Sequence, residues 1–244
     1  MTPELHRLYA VCEATWPPAA THRAGPWTIR EGRGGGQRVS AATAEGPVTE
    51  ANLPMAETKM RALGQTPQFM IRAGEEALDA LLARRGYALV DPVDMWLGPA
   101  APLTETPLPR ACTFTVWEPL AIQIDLWADG GIGPGRIAVM ERVAGLKTSI
   151  IARDDHTPAG TAFVALHDGI AMIHALEVPA PCRRKGMARL ICRQAAFWAV
   201  AQGGTHVAAL CTRANAAAGA LYPSLGMGVV GQYHYRKAKD DTRG

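Results

Sequence analysis

Residues 170–192 constrain this chain more than any other stretch. They open on an apolar run, Ile170-Ala-Met-Ile-His-Ala-Leu-Glu-Val178, which holds no helix breaker and is closed by Pro179 and Pro181. Neither proline can donate within a sheet, so the run reads as a buried strand ending at Val178. From Met187 the apolar positions become Met187, Leu190, Ile191, Phe197 and Trp198, the three-and-four spacing of a helix with one buried face. Residues 183–188 are therefore a tight strand-to-helix turn. The free amides of a helix's first turn converge there, the positive end of the macrodipole adds to them, and Gly186 lets a ligand approach the main chain. The turn is an anion site suited to a phosphate.

Val178-Pro179, followed by Arg183-x-x-Gly186-x-Ala188, resembles the acyl-CoA signature of the GNAT (GCN5-related) N-acetyltransferases. Downstream, Asn215, Ala218, Leu221-Tyr222 and Leu225-Gly226-Met227 match that family's second signature. The resemblance covers about residues 110–238. It implies an α/β (α+β) fold, a mixed and mostly antiparallel central sheet flanked by helices, with acetyl-CoA as co-substrate and no metal.

A chain of 244 residues, 48% of them hydrophobic, can bury one large core or two of ordinary size. A formal net charge of +3 is too mild to imply nucleic acid, although it suits a polyanionic cofactor. The cluster Arg183-Arg184-Lys185 lacks the extended basic stripe and interleaved aromatics that nucleic-acid binding needs. The five cysteines are odd in number and far apart, which shows neither a disulfide framework nor zinc spacing. The N-terminus lacks an apolar signal core, and no stretch approaches the roughly 18 apolar residues of a membrane span. A cytoplasmic location is the expectation; the oligomeric state is open.

Along the chain, Leu5, Leu8, Tyr9, Cys12 and Trp16 form the buried face of a first helix that Pro17 and Pro18 end. Residues 27–30 and 39–43 read as a hairpin around the glycine cluster 33–38, which is taken as a plain turn because a strand, not a helix, is expected after it. Residues 48–63 suggest a helix interrupted by Pro54, and 69–72 a strand. A helix then runs from Glu75 to a C′ residue at Gly86, and strands 87–90 and 93–97 flank Asp91-Pro92. Four prolines from Pro99 to Pro109 mark a stiff linker. The expected division is 1–105, 110–238 and a tail, 239–244. In the second part, strand 112–117, helices 120–128 and 137–143, hairpin 147–166, strand 207–212, helix 214–225 and strand 229–236 complete the expectation.

The first part lies on the second at a constant offset of 140, placing 69–72 on 209–212 and Gly86 on Gly226. It reads as a degenerate GNAT-like copy. Leu82 stands where Tyr222 would, Glu75 where Asn215 would, and no Arg-x-x-Gly-x-Gly/Ala turn precedes its helix, so it is not expected to bind CoA.

Acetyl transfer to an amine needs a neutral nucleophile, a stabilised oxyanion and a proton for the departing thiolate. The resemblance implies that Tyr222 is that proton donor, that the main chain of Leu176 and Val178 pairs with the pantetheine arm, and that Asn215 contacts it. Asn215 is equally placed to cap a helix. Phosphates fall to Arg183, Arg184, Lys185, Gly186, Met187 and Ala188. Glu177 is the candidate base, the alternatives being a substrate contact, a water relay, or no dedicated base, as in some members of the family; plain alternation sets its side chain opposite Leu176 and Val178, and sets His174 on the other face from Glu177. The glutamate that some relatives carry on the next strand is Leu210 here. The expected function is an N-acetyltransferase moving an acetyl group from acetyl-CoA to a primary amine by direct attack, the acceptor being a small molecule or a protein amino group. The alternative is a non-catalytic acyl-CoA-binding regulator, which would have no need of a proton donor at Tyr222.

Overall fold

The computed structural model describes residues 3–239, so most of the expected tail lies outside the described residues. The chain runs α1 (Pro3–Thr15), β1 (Ala20–Ala24), β2 (Trp27–Glu31), β3 (Thr43–Ala44), α2 (Leu53–Ala62), β4 (Gln68–Arg72), α3 (Glu76–Arg84) and β5 (Ala88–Pro99). It continues through α4 (Ala101–Thr104), β6 (Thr113–Val116), α5 (Ala121–Asp129), α6 (Pro134–Arg142), β7 (Lys147–Asp154), β8 (Thr157–His167) and β9 (Ile170–Glu177). Last come α7 (Met187–Ala201), β10 (His206–Thr212), α8 (Ala216–Leu221) and β11 (Gly228–Lys237).

One eight-stranded sheet, ordered β4-β11-β5-β10-β9-β8-β7-β6, carries the molecule, and β1-β2-β3 form a second, smaller sheet. Within the large sheet β9 and β10 run parallel, and the other neighbours pair antiparallel. Helix α7 packs on one face over Ile173, Val207 and Ala209, and α1 packs on the other over Met172 and Ala208. The alternation of these residues between two covers explains why the strands read as continuous apolar runs.

The pairing repeats the offset seen in the sequence. Gln68 faces Lys237 and Arg72 faces Tyr233 across β4 and β11, while Ala208 faces Leu97 and Thr212 faces Val93 across β10 and β5. Adding 140 to the first residue of each β4–β11 pair, and subtracting 140 from the second, gives the β10–β5 pair. A pseudo-twofold axis therefore passes through Val93 and Tyr233, which face each other where β5 meets β11. Register follows side-chain alternation, and a slip of one residue would destroy this relation. The parallel bridge of Ala42 to Phe69 likewise matches that of Ile173 to Ala209. Each half thus contributes three strands, a helix, a strand, a helix and a strand, and β5 of the first is inserted between β10 and β11 of the second.

Several local expectations change. β2 does pair with β3, but β1 is its hairpin partner, and residues 37–39 form a single 3-10 turn instead of a strand. Pro54 sits in the first turn of α2, where its missing N–H has no partner to lose, so it starts the helix and does not interrupt it. The two strands around Asp91-Pro92 are one strand: Asp91 has φ 44 and the register to β11 shifts there, a bulge that accommodates a proline. Linker residues 101–104 form a helical turn whose Leu103 is buried beneath α7, with Arg193 Nε donating to the Leu103 carbonyl at 3.1 Å. The last expected helix splits at Pro223 into α8 and a 3-10 turn.

Candidate active site

The site begins where two parallel strands part. β9 and β10 pair from Ile170 and His206 to Ile173 and Ala209, and no further. Between Phe163–His174 and Thr161–Glu177 the β8–β9 register gains one residue on β9, and Ala175 takes φ 49. This bulge bends β9 away from β10, and Trp127 Nε1 holds it by donating to the Ala175 carbonyl at 2.8 Å. The extra residue also corrects the alternation expected from sequence. His174 stacks on Trp16 and Ala175 packs beside Trp127, while Leu176 and Val178 turn to the α7 core. Glu177 faces the C-terminal end of α5, where a Cβ on Gly130 would lie 2.7 Å from its carboxyl carbon. His174 and Glu177 therefore share the face that plain alternation assigns to opposite sides.

The parted strands open into a cavity of 350 Å³. Leu176, Asn215 and Tyr222 line one part; Trp16, Arg38 and Tyr233 line another. Tyr222 closes α8 and packs its ring 5.8 Å from that of Trp96, in the core under α7. Burial, with the Cys192 and Cys211 thiols beside it, raises its pKa far above that of a free phenol. The group is a neutral phenol on the cavity wall that can donate a hydrogen bond; the upward shift makes it a weaker acid than a free tyrosine, so any proton it gives must go to a strongly basic partner held close to it. Asn215 does cap α8, its Oδ1 accepting from the Ala218 amide at 3.0 Å, and it lines the cavity as well.

The turn leading into α7 has the form of an anion cradle. Arg184 and Gly186 both have left-handed φ, 65 and 83, and the amides of residues 184–189 meet no backbone carbonyl among the described residues. They head a 15-residue helix, and a Cβ at Gly186 would meet nothing within 4 Å. These unanswered donors fit the phosphates of a nucleotide cofactor. Side chains at the turn already have partners: Arg183 Nε donates to the Val178 carbonyl at 2.9 Å, and Lys185 pairs with Asp154 at 2.8 Å. Glu177 pairs with Arg183 at 3.6 Å and does not line the cavity. Among the described residues no cluster of potential metal ligands occurs.

Sequence reasoning missed the far wall. The glycine cluster set aside as a turn packs against the start of α6: a Cβ on Gly135 would lie 2.5 Å from the Gly34 carbonyl oxygen, so only glycines allow the approach. Packed this way, the loop delivers Gly35, Gly36, Gln37 and Arg38 to the cavity. The signal for it in the sequence is the run of glycines between Arg33 and Arg38, although no helix follows it.

Residues 116–227, which hold the parted strands, the turn and Tyr222, match the Acetyltransferase (GNAT) family. The chain carries a GNAT acetyltransferase domain. Among solved structures, a GCN5-related N-acetyltransferase from Kribbella flavida aligns with TM-score 0.71 at 17% identity, over 99% of this chain and 98% of its own. A functionally unknown conserved protein from Staphylococcus epidermidis aligns with TM-score 0.67 at 12% identity, covering 92% and 96%. A tandem GNAT protein from the clavulanic acid biosynthesis pathway aligns with TM-score 0.63 at 13% identity, covering 94% and 86%. At these identities the likeness is one of fold. No curated protein matches the chain in sequence. The GNAT fold thus extends over both halves, while the family's sequence pattern is confined to the second.

Proposed function

We propose that the protein is an N-acetyltransferase that moves an acetyl group from acetyl-CoA to a primary amine by direct attack. The observation that carries this reading is the placement of Tyr222 on the wall of the cavity opened by the Ala175 bulge, beside the helix-headed turn into α7. A protein that only sensed an acyl-CoA would have no use for that hydroxyl.

Each part has its task. The amides of 184–189 hold the phosphates, with Arg183, Arg184 and Lys185 assisting; Met187 and Ala188 begin the helix that supplies the dipole. The main chain of Leu176 and Val178, released from β10, offers strand-like bonds to an amide-bearing arm, and Asn215 borders the same channel. The amine nitrogen bonds to the acetyl carbon as the carbon–sulfur bond breaks, and Tyr222 gives its proton to the departing sulfur. The proton lost by nitrogen leaves through water, with Glu177 as its acceptor, since that carboxylate lies outside the cavity lining. The phenol recovers its proton from solvent.

Calorimetry with acetyl-CoA, and thiol release in an acceptor screen, test the proposal. Micromolar-range binding and acceptor-dependent release are expected. Tight binding with no release for any amine would return the chain to the regulatory reading, and no binding would reject both.

A further inference from the structure

The positive charge on the far wall of the cavity has no carboxylate counterpart among the described residues; the Tyr233 hydroxyl and the Cys12 thiol are neutral neighbours of it. Arg38 Nη1 lies 3.1 Å from His174 Nδ1, and its guanidinium lies 6.0 Å from the Trp16 ring centre. A guanidinium can only donate, so His174 Nδ1 accepts and the imidazole proton sits on Nε2. That nitrogen is 2.9 Å from Thr15 Oγ1, whose own proton goes to the Val11 carbonyl at 2.7 Å. The imidazole is neutral by this wiring, and burial together with the Arg38 charge lowers its pKa well below the usual value. His174 therefore orients Arg38 without balancing it.

Neighbouring arginines are treated differently. Arg30 pairs with Glu13 at 2.9 Å, Arg72 with Glu75 at 2.7 Å and Arg213 with Asp94 at 3.0 Å. Among the described residues Arg38 makes no ion pair, and its buried Nε has no hydrogen-bond partner. Asp91, the carboxylate that lines the cavity, is engaged by Gln37 Nε2. A second guanidinium, Arg136, lines the cavity beside Gly36. Burying an unpaired cation is costly, and a carboxylate is the group whose paired oxygens suit a guanidinium fork. A volume of 350 Å³ suits a small molecule.

We propose that the acceptor is a small amine that also bears a carboxylate, of the amino-acid class, with Arg38 holding the carboxylate while the amine points toward Tyr222. The proposal rests on the transferase reading for its reaction, but the anion site stands on the charge of the wall alone. It makes the first half of the chain the source of acceptor specificity for a reaction carried out by the second.

The test compares each standard amino acid with the amine formed by removing its carboxylate, by thiol release with acetyl-CoA and by calorimetry without it. At least one amino acid is expected to react, with its decarboxylated partner down by about 10²-fold or more in kcat/KM, because a site built for a polar group rejects the analogue lacking it. Arg38→Gln should raise KM for the amino acid by a similar factor with acetyl-CoA affinity unchanged, and Arg38→Lys should restore part of the loss. Equal use of the decarboxylated partners, or reaction only of amines without a carboxylate, overturns the proposal. If acetyl-CoA fails to bind, the transferase reading falls separately, and the amino-acid titration still decides: no binding there removes the anion site. The comparison of ligands on the unaltered protein stands even if the Arg38 variants do not fold.

Discussion

Tyr222 serves two ends, filling the core beneath α7 with its ring and presenting a hydroxyl to the cavity. Tyr222→Phe keeps the first and removes the second, so turnover should fall by roughly 10² to 10⁴-fold while acetyl-CoA affinity and melting temperature stay near the original. Wild-type turnover would make it a packing residue only. His174 gives a pH signature. Its folded pKa is held well below that of the unfolded chain, so on acidification the unfolded state takes up the proton first. Stability from this residue is complete above the unfolded value near 6.5 and declines as pH falls below it. Melting temperature should therefore drop between about pH 7.5 and 5.5 by more in the native protein than in His174→Gln, and equal drops would exclude the residue as the cause. Tyr222 and Asn215 were legible in the sequence because a short motif fixes them relative to one helix. Arg38 was not, since its meaning comes from His174, 136 residues away, across an interface that no local pattern encodes.

Two elements set the geometry of the site, the bulged end of β9 and the turn into α7. Ala175 is at φ 49, where a β-branched side chain is a severe outlier. Ala175→Val should cost about 1–3 kcal/mol of stability by chemical denaturation and weaken acetyl-CoA binding, whereas Ala175→Gly should retain binding. Equal behaviour of the two variants would mean that the bulge tolerates a regular strand. At the turn, Gly186→Glu sets an anion and a side chain where φ is 83, and should abolish acetyl-CoA binding in calorimetry with the fold preserved in circular dichroism. Unchanged affinity would remove the turn from the site. Sequence periodicity placed β9, the turn and α7 because each has a distinct pattern of apolar and breaking residues. It could not place the bulge: an apolar run buried on both faces reads alike with or without an extra residue, and the face of every side chain beyond it was inverted.

At the scale of the whole molecule, β5 lies between β10 and β11, and β4 leans on β11. A fragment of residues 1–105 would carry two strands stripped of their neighbours, and the remainder would carry two gaps, so each should aggregate or stay unfolded alone. Expressed together they should recover one soluble complex, and the intact chain should unfold in a single transition by fluorescence and circular dichroism alike. Independent folding of either piece would separate what the sheet joins. The offset of 140 was readable because both copies keep the order strand, helix, glycine, strand; the exchange of strands was not, since pairing partners leave no mark in a single sequence. One difference between the copies bears on the site. β2 and β3 are joined by residues 32–42, which reach the cavity of the other half, whereas β8 and β9 are joined only by Asp168 and Gly169, held at the surface by Arg7. At this connection the two copies part, and the longer one serves the cavity of the other half. On the proposed function, the chain is laid out like a dimer in which one half completes the centre of the other, and a titration counting occupied centres should reach one acetyl-CoA per polypeptide, never two.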